Sequence, residues 1–207
     1  MNRKFAVIGL HGRGQSVTSI RQLITMIGIS DIEIIVPEAT GGTWYPRSFL
    51  APLSENEPHL SNALATIETA RAHFLGEGYQ RSQIVLVGFS QGAALACEFV
   101  GRSKNACVGG VVAWHGGRIG PPTIAWPEAD GLYGVQVLLT GGDVDPFVPA
   151  DRTRATVAHL QKRGATVASR IEDRPHAVDQ KDLQLARDLL VSVDAHRQLD
   201  ARSLLLS

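Results

Sequence analysis

One stretch constrains this chain more than any other: Gln83 to Ala94, Q-I-V-L-V-G-F-S-Q-G-A-A. Ile84 to Val87 is an unbroken apolar, largely β-branched run, the pattern of a strand buried on both faces of a parallel sheet. Gly88-Phe89-Ser90-Gln91-Gly92 follows, and Ala93 to Ala96 opens a strong helix-forming segment. Strand, sharp turn and helix in that order are the context of a nucleophile elbow, in which the middle residue of G-x-S-x-G takes a strained backbone conformation. Residues two before and two after it must be almost free of side chain, and both are glycine here. Ser90 is then expected above the strand's carboxyl end, Oγ exposed, with backbone N–H groups of the following helix beside it. The bland alternative is an ordinary β–α turn. The choice depends on whether the chain also supplies partners for a nucleophile.

A chain of 207 residues suits one compact α/β domain spanning 1–207. The formal net charge is zero, which argues against nucleic acid or an anionic membrane surface as partner. Met1 to Phe5 runs straight into a strand, without the apolar core and cleavage site of a secretory signal. No apolar stretch approaches the roughly 18 residues that would span a bilayer. Cys97 and Cys107 read as small buried hydrophobes and not as a disulfide framework. The expectation is a soluble, cytoplasmic protein.

Strands are expected at Phe5–Leu10, Ile32–Val36, Cys107–Trp114, Val135–Thr140 and Ala165–Ile171, besides the elbow strand. Helices are expected over Ser16–Ile27, with Ser16 as N-cap and Gly28 closing it, and over Glu57–Leu75, Asp151–Arg163 and Asp179–Val193. Two long irregular segments remain, Glu38 to Leu53 and His115 to Gly134. Both follow strands, so both are expected to rim one cleft. Trp44 and Tyr45 on the first either bind ligand or cover the core. His115 on the second is a candidate pocket residue, and Phe147 a candidate apolar wall.

Gly9 to Gly14 does not spell the G-x-G-x-x-G of a dinucleotide site. The H-G-x-G at His11 to Gly14 instead suits a loop that turns one N–H toward the nucleophile. That donor would be Arg13, paired with the N–H of Gln91, and His11 is expected to shape the loop. A base for Ser90 and an acid to orient it should follow in the order serine, acid, histidine. His159 falls inside an expected helix and His196 close to the chain end, which leaves His176 in the loop after the last strand. Asp143 and Asp145 both follow the penultimate strand. Asp145 is preferred, because Pro146 and Pro149 stiffen its turn, whereas Asp143 suits a turn cap.

H-G-R-G, G-F-S-Q-G, D-P-F-V-P and the late His176 together resemble the phospholipase/carboxylesterase family, which includes acyl-protein thioesterases and small bacterial carboxylesterases. The resemblance covers nearly the whole chain. It implies an α/β-hydrolase fold: a mostly parallel central sheet, helices on both faces and no large cap domain. It further implies Ser90, Asp145 and His176 as catalytic triad, the N–H groups of Arg13 and Gln91 as oxyanion hole, and neither metal nor organic cofactor. The thioesterase branch typically carries Leu where Arg13 stands, and Ser-Gly is more usual where Trp114-His115-Gly116-Gly117 stands, so the chain looks closer to the bacterial members. The expected activity is a serine carboxylesterase acting on small, short-acyl esters through an acyl-enzyme. Acyl-protein thioesterase or lysophospholipase chemistry by the same machinery is the nearest alternative, and a non-catalytic α/β-hydrolase-like binding protein the alternative of another class. The expected partner is a small-molecule ester, with substrate contacts at Trp44, Tyr45, His115 and Phe147. A homodimer is compatible with the sequence.

Overall fold

A computed structural model describes residues 5–127 and 131–205, with side chains up to 194. Residues 1–4 of the leader reading, part of the 115–134 segment and the His196 side chain therefore lie outside what is described. Six strands form one sheet: β1 (Phe5–Leu10), β2 (Ile32–Ile35), β3 (Ile84–Phe89), β4 (Gly110–Trp114), β5 (Gln136–Gly142) and β6 (Thr166–Glu172). Their order is β2-β1-β3-β4-β5-β6, and every pair is parallel. The helices are α1 (Val17–Ile27), α2 (Leu53–Asn56), α3 (His59–Gly76), α4 (Gln91–Arg102), α5 (Ala150–Lys162) and α6 (Gln180–Leu205).

Parallel strands need crossovers, and the crossover helices cover both faces, which is why β1, β3, β4 and β5 are buried along their whole length. Alternate side chains of each strand divide between two apolar layers. Ile8, Leu86, Val111 and Leu139 pack with Leu60, Ile67, Leu95 and Leu160 of α3, α4 and α5. Val7, Val87, Val112 and Leu138 pack on the opposite face with Ile20 and Ile24 of α1 and Leu183 and Leu190 of α6. The ends of α1 follow from local chemistry: Ser16 Oγ accepts the Ser19 N–H, and Gly28 takes the left-handed closing conformation at φ 73°. The closing helix runs to Leu205, past the expected Val193. Strand β4 begins at Gly110, three residues after its expected start, and Cys107 lies before it. Cys97 and Cys107 are both free, and burial pushes the Cys97 thiol up to about 12.

All carboxyl ends point to one edge, and the register sets them side by side: Leu10 opposite Gly88, Phe89 opposite Trp114, Trp114 opposite Thr140, Gly142 opposite Glu172. The chain leaves β1 toward one side of the sheet and returns at β3 on the other. Ligands of open α/β sheets bind outside such a switch point. Among the described residues no helix is long and apolar enough to cross a membrane.

Candidate active site

Ser90 sits at the end of β3 with φ 54° and ψ −115°, a left-handed-side conformation that L-residues avoid unless their surroundings enforce it. The enforcement is visible at the flanking glycines. A Cβ on Gly88 would lie 2.5 Å from the Gly92 carbonyl oxygen, and one on Gly92 only 2.1 Å from that of Leu10. The Ser90 N–H donates to the Trp114 carbonyl at 2.9 Å, fixing the turn to β4. Helix α4 starts at Gln91, so its first N–H groups face outward beside Ser90 without intrahelical partners.

The loop after β1 supplies the next wall. His11 is fully buried: its Nε2 accepts the Ala39 N–H, so Nδ1 carries the proton and donates to the Gly12 carbonyl at 2.8 Å. Arg13 borders the cleft, but its guanidinium is engaged with three main-chain carbonyls, those of Tyr45, Pro46 and Arg47. It is not a free cation for an acidic substrate. The Gln91 side chain grips the same segment, accepting the Trp44 N–H at 3.0 Å and donating to the Tyr45 carbonyl at 2.8 Å.

The loops after β5 and β6 bring Asp145 and His176 together. His176 Nδ1 lies 2.6 Å from Asp145 Oδ2. Asp145 Oδ1 accepts the N–H groups of Phe147 (2.8 Å) and Val148 (3.0 Å). Burial pushes the Asp145 pKa up, but the hydrogen bonds from His176, His115, Phe147 and Val148 outweigh it and hold the carboxyl below its ordinary range. Asp143, expected as a turn cap, is instead exposed and pairs with Arg154 at 2.8 Å. The His176 loop is fastened by Arg174, which donates to fully buried Asp182 (2.6 Å to Oδ1) and to the Ala177 carbonyl. No sequence pattern marks this pair, which joins a loop residue to one on α6.

A cavity of about 340 Å³ lies among these parts, lined by Gly12, Arg13, Ser90, Gln91, Phe147 and His176 and walled by Tyr45, Phe49 and Phe89. Phe147 stands at its mouth, 67% exposed, its ring edge-on to His176 at 5.1 Å. Among the described residues no hydrogen bond joins Ser90 Oγ to His176, and such bonds are often long in a free enzyme.

Several placements differ from expectation. Trp44 does not reach the cavity; it is buried against His11, with ring centroids 5.0 Å apart, and donates to the His11 carbonyl at 2.8 Å. Tyr45 is buried too, touching the cavity only from its wall. His115 is fully buried behind Asp145, its Nδ1 2.7 Å from Oδ2, and is no pocket residue. The described residues of the 115–134 segment do not rim the cleft. They turn back over α4 and α5, where buried Arg118 forms a forked pair with Glu98 and a 2.9 Å contact with His159. Trp126 packs on the Arg118 and Arg152 guanidinium groups. Sequence periodicity carries no sign of that turn, because the partners that hold it come from two other helices.

A parallel sheet with a strained serine between its third strand and the next helix, and a carboxylate–histidine pair on the last two strand ends, defines an α/β hydrolase. The sequence model of the Phospholipase/Carboxylesterase family matches residues 2–193, and the chain belongs to that family. It is a carboxylic ester hydrolase, which sets aside the reading as a non-catalytic binding protein. The fold is similar to that of a phospholipase/carboxylesterase from Dyadobacter fermentans, 32% identical over 92% of this chain and 91% of that one, with a TM-score of 0.84. The Bacillus cereus carboxylesterase is 20% identical, covers 92% of this chain and 89% of its own, and superposes with a TM-score of 0.74. For a carboxylesterase from Mesorhizobium loti the values are 20%, 91%, 88% and 0.73.

Proposed function

We propose that the protein is a serine carboxylesterase acting on small, short-acyl esters, with Ser90 as nucleophile, His176 as base and Asp145 as the acid that orients it. The observation that carries this reading is the contact between His176 Nδ1 and Asp145 Oδ2 beside a cavity that also holds Ser90. Asp145 is acceptor-only while ionised, so Nδ1 carries the proton and Nε2 presents a lone pair toward the cleft. His176 Nε2 takes the Ser90 Oγ proton as Oγ attacks the ester carbonyl, whose π electrons move onto oxygen. That oxyanion is received by the N–H groups of Arg13 and Gln91. The tetrahedral species collapses, the C–O bond breaks, and His176 hands its proton to the departing alkoxide. Water then attacks the acyl-enzyme by the same route, regenerating Ser90.

The short-acyl preference rests on size. A cavity of about 340 Å³ is at the small end of ligand sites, which run from roughly 300 to 1,000 Å³. Each further buried CH₂ adds roughly 0.8 kcal/mol of binding only while there is apolar wall to meet it. On p-nitrophenyl esters, kcat/KM should peak at about C2 to C4 and level off or fall beyond, by that same methylene argument. Ser90→Ala should abolish both turnover and labelling by a fluorophosphonate probe. Efficiency still climbing at about C10 on monomeric substrate would instead favour lysophospholipase or thioesterase chemistry.

A further inference from the structure

We infer that His115 is a positioning residue for this hydrolysis: a second imidazole that shares Asp145 with His176, fixing the acid and weakening its hold on the base. The inference rests on the triad reading above. His115 directly follows β4, which lies between the strand that presents Ser90 and the strand that leads to Asp145. Its φ of 55° turns the chain so that the ring passes beneath the acid, fully buried. Nδ1 of His115 and Nδ1 of His176 reach the same oxygen, Oδ2, at 2.7 and 2.6 Å. Oδ1 already holds the Phe147 and Val148 N–H groups. A carboxylate offers about four acceptor sites, and all of them are used.

The donor count fixes the protons. Asp145 is ionised and can only accept, so each histidine presents a protonated Nδ1. His115 Nε2 lies 2.9 Å from the Ala177 carbonyl, one residue past His176. Burial draws the His115 pKa below its ordinary value, and the nearby charges of His176 and Arg174 act the same way against the Asp145 hydrogen bond. Its neutral ring therefore clamps the acid through Nδ1 alone, while Arg174 Nη2 serves the Ala177 carbonyl. In the neutral ring Nε2 faces that carbonyl with a lone pair only. A proton gained on acidification turns the 2.9 Å contact into a hydrogen bond that ties the acid loop to the His176 loop. The charged groups facing this ring are Asp145, His176 and Arg174, the last neutralised by Asp182 of α6. With ring centroids 5.0 Å apart and one carboxylate between them, the two imidazoles compete for the same acceptor oxygen. A proton on His115 opposes one on His176.

Removing His115 should thus have two opposite effects. The rate falls because the acid is less well fixed, and the acid limb of the pH–rate profile rises because Asp145 then serves His176 alone. In H115L we expect kcat about 10- to 100-fold lower, by analogy with the outer-shell partners of metal-bound histidines, at nearly unchanged KM. Its acid limb in kcat/KM should lie at least about half a pH unit above wild type. H115N places an amide N–H near the Nδ1 position and tolerates positive φ, so it should recover kcat to within about 3-fold and keep the wild-type limb. H115Q, which offers its amide toward Ala177 and none to Asp145, should behave as H115L and replaces it if the leucine variant does not fold. Folded H115L or H115Q with wild-type kcat and an unmoved acid limb would overturn the inference, while S90A and D145N losing activity would leave the triad reading intact. A wild type without esterase activity, or an active S90A, would remove both.

Discussion

The two flanks of the cleft are held by different chemistry. On the Arg13–Gln91 flank, the two side chains together make hydrogen bonds to the backbone of Tyr45, Pro46, Arg47 and Trp44 and to the Thr43 hydroxyl, none of them an ionisable group. Acceptors of that kind do not titrate. On the Asp145–His176 flank the anchors are ionisable groups in contact with one another: two histidines on one carboxylate, and an arginine on a second, buried one. One flank is fixed by backbone geometry and indifferent to pH. The other is fixed by charge, and its rigidity is conditional on which protons are bound.

The sharpest way to test that difference is to remove the charge at its centre. Asp145→Asn should lower kcat by up to ~10⁴-fold, by analogy with the serine proteases, because the amide leaves His176 in the wrong tautomer. Asp143→Asn breaks only an exposed pair with Arg154 and should stay within about 2-fold, since such pairs contribute little. Steady-state kinetics on the two folded variants would break the assignment if their order were reversed.

A smaller loss is expected on the other flank. Arg13→Met removes the three bonds to the 45–47 segment and lets the loop bearing the Arg13 N–H drift. Loss of an oxyanion donor outright costs about 10²- to 10³-fold, so a loosened one should cost about 10-fold, in kcat. The pH profile of R13M should overlay that of wild type. A displaced acid limb would mean that the two flanks are not independent.

Stability should divide in the same way. The Asp145 carboxyl is held below its ordinary value of 3.8, so the unfolded chain takes up that proton first. Its contribution is present above the ordinary value and is lost as pH falls through the lowered one. His115 is also held below its ordinary value of 6.5, so the unfolded chain again protonates first, and stability falls as pH drops from 6.5 toward the lowered value. Urea midpoints measured between pH 7 and 5 should therefore decline in wild type and R13M alike, and decline less in H115N. The smallest effect belongs to the mouth. Phe147→Ala should change KM for aryl esters by about 3-fold and leave kcat nearly unaltered, because an exposed edge-on ring offers under about 1 kcal/mol.

What the sequence disclosed follows the same division. The elbow was legible because sterics at Gly88 and Gly92 act within five residues, and the strands were legible because burial on both faces writes itself as apolar runs. Chain order pointed to His176 and left two aspartates, of which the prolines at 146 and 149 favoured Asp145; the fold brings that pair within hydrogen-bond distance. Side-chain direction was not legible. Whether His115 faces the cavity or the acid is decided by one positive φ, and whether Arg13 faces substrate or backbone is decided by carbonyls more than thirty residues away. Trp44 and Tyr45 carry no local mark that separates a ligand wall from a core. Arg118 and the described residues around it were misplaced because Glu98 and His159, the partners of Arg118, lie on helices that the segment's own residues do not foreshadow.

The contact between Gly92 and the Leu10 carbonyl has a consequence for how such an enzyme can change. With no room for even one methyl group, the nucleophile turn and the end of β1 form a single rigid block. Neither can be retuned for a new ester without dislodging the other. Room for variation is left to side chains that border the cavity from elsewhere, above all Ser48, Phe49 and Phe147. Directed selection for larger or differently shaped esters should find its substitutions at those positions and leave the elbow and the loop after β1 untouched.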